Sequence, residues 1–195
     1  MLLEQQDPDG AEAFILRGQI YAALKDNTRA REALSEAIRR DPNNDFAHVR
    51  MGVVEYNSGN EAKAQAALDK ALQINADSKW ALLWKGVIAA DKKQGKSSLE
   101  WFNKALKVDP RFDLAYYNIG WTHLKSKPKN YEAAEKYFRK ALALNPEYKE
   151  AFYGLGMVFG FQNQYKVSHS YLTGAIKKDG QFLTAWKWRG IVNDE

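Results

Sequence analysis

The sequence predicts an all-α fold, an array of one repeated helical unit, and three observations carry that expectation. Six glycines, Gly18, Gly52, Gly86, Gly120, Gly156 and Gly190, are spaced 34, 34, 34, 36 and 34 residues apart. Five alanines, Ala37, Ala71, Ala105, Ala141 and Ala175, keep the same intervals. Pro8, Pro42, Pro110 and Pro146 recur in phase, with Ala76 and Gly180 in the two remaining places. A missing side chain lets two helices cross closely, and proline stops one helix before the next begins. A period of this length marks an array in which each unit buries its apolar face against its neighbours.

Two further registers run with these. Ala30, Ala64, Ser98, Ala134 and Ser168 share one place, and Leu34, Leu68, Phe102, Phe138 and Leu172 follow each of them by four residues. Together the registers resemble the tetratricopeptide repeat, a 34-residue helix–turn–helix unit, over nearly the whole chain. The resemblance implies a right-handed α-solenoid. Taken in order, residues 1–10 read as the tail of a preceding repeat, and 11–44 form the first full unit. In it Phe14, Arg17, Gly18 and Tyr21 mark the first helix, Ala30 and Leu34 the second, and Pro42 the stop. Units two and three are 45–78 and 79–112. Unit four, 113–148, is two residues longer, and the excess falls in the Lys125–Asn130 turn, where insertion disturbs little packing. Unit five is 149–182. Residues 183–195 read as the first helix of a sixth unit or a cap, with Trp186 and Gly190 in register. The partial unit at the start suggests a chain excised from a longer protein.

Composition narrows the function classes. The 195 residues are 45% apolar and 27% charged, with mean hydropathy −0.57, ordinary for a soluble chain. The longest apolar stretch, Tyr153 to Phe161, falls far short of the ~20 residues of a membrane-spanning helix. No charged-then-apolar leader opens the chain, so no secretory signal is expected. Without cysteine there is no disulfide, thiolate metal site or cysteine nucleophile. The compartment stays open, with the cytoplasm favoured.

Catalytic signatures are lacking, so no catalytic residue, metal or cofactor is expected. His48, His123 and His169 fall in three repeats at three phases, and the first two take places where the family puts packing aromatics. There is no glycine-rich phosphate loop and no HExxH motif. Acidic pairs such as Asp7/Asp9 and Glu132/Glu135 sit at turns or first helical turns, where carboxylates suit the helix dipole.

The informative feature is the first helix of each unit. At ~100° per residue, Leu82, Gly86 and Ala89 form a stripe packed inside the unit. A second stripe lies roughly opposite: Phe46, Val49, Val53 and Tyr56 in unit two, and Trp80, Leu83 and Val87 in unit three. Unit four offers Leu114, Tyr117, Trp121 and Leu124, and unit five offers Tyr153, Met157 and Phe161. The family resemblance implies that this stripe lines the concave groove, where such proteins bind partner peptides. Here the groove reads as apolar and aromatic, and aromatic residues are the usual binding hot spots.

A carboxylate clamp like that of chaperone-binding relatives is not expected. Its places hold Ile15, Gln19, Arg50, Trp80 and Trp84 in one window and Val49, Val53, Trp84, Leu114 and Asn118 in another. Other departures are Arg17, Lys85 and Arg189 where the family has leucine, and Glu55 where it has tyrosine. Lysine and arginine can lay their stems over apolar surface, but Glu55 should seek a cation or reach solvent.

The function expected is a non-catalytic scaffold that holds an apolar or amphipathic segment of another protein in its groove. A self-associating module is the alternative within binding proteins. RNA binding is a rival from another class, because residues 1–90 hold 11 Lys and Arg against 13 Asp and Glu, whereas residues 91–195 hold 18 against 11. Nucleic acid is nevertheless disfavoured. Lysines such as Lys92, Lys129, Lys140 and Lys178 should face the convex side or the rims, away from the aromatics, and RNA needs both on one surface.

Overall fold

A computed structural model describes residues 10–193, and all regular structure within them is helical. Eleven helices run in order: α1 (Ala11–Ala23), α2 (Asn27–Arg40), α3 (Asp45–Asn57), α4 (Glu61–Ile74), α5 (Lys79–Asp91), α6 (Gly95–Val108), α7 (Asp113–Lys125), α8 (Tyr131–Leu144), α9 (Lys149–Phe161), α10 (Tyr165–Lys178) and α11 (Leu183–Asn193). The expected tail at 1–10 lies outside the described residues except for Gly10. Two compact units divide the chain after Ile88. None of the described helices is long and apolar enough to cross a membrane.

Within each unit the helices pair as helix–turn–helix hairpins. In the first, α1 packs on α2 and α3 on α4, with α2 also against α3; in the second, α7 packs on α8 and α9 on α10, with α8 against α9 and α10 against α11. Short polar side chains start several helices. Asp26, Asn44 and Asn130 accept from the backbone N–H of Arg29, Ala47 and Ala133, each at 3.0 Å, satisfying donors that the first turn leaves open.

The registers have a physical basis in helix crossing. A Cβ on Gly120 would stand 2.8 Å from the Phe138 ring, and one on Gly154 would stand 2.7 Å from it. Both α7 and α9 therefore close on a single fully buried phenylalanine of α8. Gly154 belongs to no register, and its role comes from the size of Phe138, which stands where three other repeats carry leucine. Gly190 differs from its counterparts, since nothing lies within 4 Å of its Cβ direction.

Polar ties join the start of a repeat to its closing turn. Asn75 Nδ2 donates to Asp45 Oδ2 at 3.2 Å in the first unit, and Asn145 Nδ2 to Asp113 Oδ2 at 3.0 Å in the second. Lys149 and Asp179 fill the same two places with the polarity reversed, at 2.6 Å.

The residues that break the family pattern are accommodated. Glu55 is buried and accepts from Arg31 Nε at 2.9 Å and Asn60 Nδ2 at 2.7 Å. Lys85 reaches Asp69 at 2.6 Å, Arg17 lies over the Phe14 ring, and Arg189 over the Trp186 ring.

Candidate functional site

In the second unit, Leu114, Tyr117 and Trp121 lie on one face of α7, and Tyr153, Met157 and Phe161 on one face of α9. Their spacings of three and four residues align side chains along a helix. The rings form two sets, and Tyr117, Trp121, Tyr131 and Phe161 all pack on the core around Phe138 and Leu155. Tyr117 stands 4.9 Å from Tyr148, at the start of α9, and 6.3 Å edge-on to Trp121. Trp121 in turn meets Phe138 edge-on at 5.6 Å and Tyr153 at 6.0 Å, and Tyr153 meets Phe182 at 5.5 Å. Further along α9, Phe161 lies 5.5 Å from Trp188 of α11 and 6.5 Å from Tyr131 of α8. Such offset and edge-to-face pairs add about 0.5–1.5 kcal/mol each beyond area burial.

The fourteen stripe residues do not behave alike. Phe46, Val53, Tyr56, Trp80, Val87, Leu114, Tyr117, Trp121, Met157 and Phe161 are half-buried and keep part of their surface in solvent. Val49, Leu83, Leu124 and Tyr153 are buried, which corrects the expectation that they present an accessible groove. Val49 packs among Ala64, Leu68, Ala71 and Ala81, Leu124 among Phe138, Leu155 and Val158, and Tyr153 among Leu172, Ala175 and Ala185. Val49, Leu83 and Tyr153 take one repeat place, which Tyr117 also holds, and there the neighbouring helices close over the side chain, as they do over Leu124.

Polar groups in the ring set are held away from water. Trp121 Nε1 is buried without a hydrogen-bond partner. Burial pushes the Tyr117 hydroxyl up to about 12; the Trp121 indole opposes that shift, and Glu150 and Tyr153 add to it. Burial also raises Tyr148, with Tyr117, Glu150 and Asp113 adding, and it raises Tyr153. These hydroxyls stay protonated well into the alkaline range.

The two ends of the surface differ in charge. Asp113 and Glu150 stand in the first turns of α7 and α9. Lys125 ends α7, and Lys127 and Lys129 follow in the turn to α8. Ser126 Oγ lies 2.8 Å from the His123 carbonyl and 2.7 Å from the Pro128 carbonyl, and Asn130 N–H donates to the His123 carbonyl at 3.1 Å. The closed turn brings Lys129 Nζ within 3.6 Å of the Phe161 ring centroid, and Lys125 Nζ lies 5.6 Å from that of Trp121. The expected separation of lysines from the groove rings fails at Lys129. Lys140 lies over Tyr116 and Tyr137 at 5.2 and 5.7 Å, rings that are not part of the stripe. The two-residue insertion does more than lengthen a turn, because it carries Lys129 to the aromatic surface.

The first unit has a smaller set. Tyr56 and Trp84 stand 5.7 Å apart, and Val53, Tyr56 and Trp80 pack on the core around Val49 and Leu68. Arg50 lies 4.6 Å over Phe46, and burial lowers its pKa.

Among the described residues no three histidine or carboxylate side chains converge to hold a metal. His48 Nε2 donates to the Pro42 carbonyl at 3.1 Å, and His123 stacks on Tyr137 at 5.7 Å, its pKa lowered by burial. Sequence reasoning missed Tyr148, Phe182, Trp188 and Lys129. Trp188 could have been found, since it stands in the same repeat phase as Trp84, whereas Lys129 depends on the path of one turn.

Two family models, both described as tetratricopeptide repeat, match the chain, one at residues 2–45 and 49–113 and the other at 114–148. Anaphase-promoting complex subunit 3 of Schizosaccharomyces pombe is 37% identical over 113 residues, 58% of this chain and 17% of that protein. The curated relatives are matched over 13 to 22% of their own length. Among solved structures, TTC0263, a thermophilic TPR protein of Thermus thermophilus, superimposes with a TM-score of 0.83 at 13% identity, covering 95% of this chain and 100% of that one. YrrB, described as a TPR protein with an unusual peptide-binding site, gives 0.59 at 17% identity, covering 94% and 93%. At these identities the likeness is one of fold.

Proposed function

The chain belongs to the tetratricopeptide repeat family, whose repeats mediate protein–protein interactions, and on that premise we propose that it is a non-catalytic adaptor. It holds an apolar or amphipathic segment of a partner protein on the aromatic faces of its first helices. The observation that supports this most is the pair of ring sets, Tyr148 with Tyr117 and Trp121, and Phe161 with Trp188. Its members are half-buried, so a bound segment desolvates surface already ordered by packing, and little side-chain entropy is lost on binding. The apolar face of an amphipathic helix or strand fits such a surface.

The test is site-specific photocrosslinking in the native host cell, with a photoreactive phenylalanine at Phe161 and, as control, at Lys177. A protein crosslinked from Phe161 alone, whose purified form binds more weakly to Trp121→Phe than to wild type, supports the reading. Equal crosslinking from both positions sinks it.

Self-association is the second reading. Leu16, Ile20 and Leu24 line one row at the end of the first hairpin and are 57%, 50% and 69% exposed. Sedimentation velocity across a hundredfold concentration range decides between them: a single monomer species rules the second reading out.

A further inference from the structure

We propose that the segment held on the second unit is acidic as well as aromatic or aliphatic, with its carboxylates seated on the lysines of the α7–α8 turn. This inference rests on the peptide-binding reading above and adds the chemistry of the partner.

Lys125, Lys127 and Lys129 fall within five residues, and none is within ion-pair distance of a carboxylate among the described residues. Lys149 and Arg139 of the same unit are instead tied to Asp179 and Glu135, at 2.6 and 2.7 Å. Two of the three adjoin rings, Lys129 directly over Phe161 and Lys125 5.6 Å from the Trp121 centroid. A cation above a ring face keeps its charge on the solvent side, where an incoming carboxylate can bridge to it while an apolar neighbour meets the ring edges.

Opposite charge at the far end gives the occupant a direction. Asp113 and Glu150 sit in the first turns of α7 and α9, about 18 Å from the α7 end at 1.5 Å rise per residue. Lys149, 3.9 Å from Glu150, is tied more closely to Asp179 at 2.6 Å. An extended strand crosses that span in about six residues. Its acidic end therefore meets the lysines, and a neutral or basic end meets Glu150. A nucleic acid fits less well. Its evenly spaced phosphates would meet Glu150 and Asp113, and the Phe161 face a base would stack on is covered by Lys129.

The experiment uses the full chain and four labelled probes in fluorescence anisotropy at about 50 and 300 mM salt. The probes are a twelve-residue peptide of glutamate with leucine and phenylalanine, its glutamine counterpart, its lysine counterpart, and a dodecameric oligouridylate. The expected result is that the glutamate peptide binds about tenfold more tightly than the glutamine peptide at low salt, with the lysine peptide weakest. The preference shrinks at high salt as the rim charges are screened. In the K125Q/K127Q/K129Q variant, with circular dichroism as the folding control, the glutamate peptide falls to the level of the glutamine peptide. Equal binding of the glutamate and glutamine peptides by wild type overturns the inference while leaving the peptide groove standing. Tighter binding of oligouridylate than of any peptide overturns it in favour of nucleic acid. Binding of none of the peptides removes the groove reading and this inference with it.

Discussion

Arg31 of α2 donates through Nε to Glu55 of α3 at 2.9 Å, joining the second helix of one repeat to the first helix of the next. Glu55 is only 4% exposed, and its other oxygen accepts from Asn60. Burial alone would raise the carboxyl, but Asn60 and Arg31 outweigh it and hold the pKa below its ordinary 4.5. Arg31→Ala strands a buried carboxylate, and the loss should be about 1–3 kcal/mol, since Arg31 keeps a third of its side chain in solvent. Because the folded pKa is the lower one, the contribution is present above pH 4.5 and fades as pH falls through the folded value. Urea titrations at pH 7 and pH 3 should show Glu55→Gln destabilising the protein more at the higher pH.

Gly154 and Phe138 form a matched pair. Gly154→Ala gains about 1 kcal/mol of helix propensity but drives a methyl to 2.7 Å from the ring. Overpacking of this kind costs about 1–3 kcal/mol, so a net loss is expected in chemical denaturation. Adding Phe138→Leu to the Gly154→Ala variant should recover most of it. Additive losses would show that the two sites do not share the space.

Tyrosine ionisation should be split. Tyr117 is pushed up to about 12 from an ordinary 10, and Tyr148 and Tyr153 also rise. A raised folded pKa gives stability that is intact below pH 10 and is lost as pH rises toward 12. Absorbance of tyrosinate should therefore show a late phase that coincides with loss of helical circular dichroism. Tyr117→Phe should shift that unfolding to higher pH.

Conservative changes suit the aromatic surface better than truncations, because Trp121 packs on two core clusters as well as facing outward. Trp121→Phe and Phe161→Leu should preserve the thermal midpoint within a few degrees. Each should weaken the crosslinked partner's binding by roughly tenfold, since loss of a hot-spot ring is worth ~2 kcal/mol and these variants retain part of it. Isothermal titration checks both, and unchanged affinity in the pair would move the site elsewhere.

What could be read from the sequence follows from which constraints are periodic. Close helix crossing demands a missing Cβ at a fixed place, so Gly120 was visible. Gly154 was not, because it answers to Phe138 and to no repeat position. Glu55 announced its need for a cation or for solvent, and only the fold could choose between them and name Arg31. The second stripe was legible as apolar, yet accessibility is set by neighbouring helices, and so Val49, Leu83, Leu124 and Tyr153 were misjudged. The lysine turn lay furthest from reach, since its place over Phe161 depends on backbone bonds through Ser126 and Asn130.

Phe138 also has a mechanical consequence. The ring that spaces α7 from α9 supports the groove as well, with Trp121 5.6 Å and Tyr117 6.0 Å from its centroid. Close-packed interiors transmit displacement instead of absorbing it. A segment that presses on Trp121 bears on the same strut that fixes the pitch between these successive repeats. On the proposed reading, occupancy and curvature of this unit become one variable: tightening the grip would bend it, and stretching it would loosen the grip.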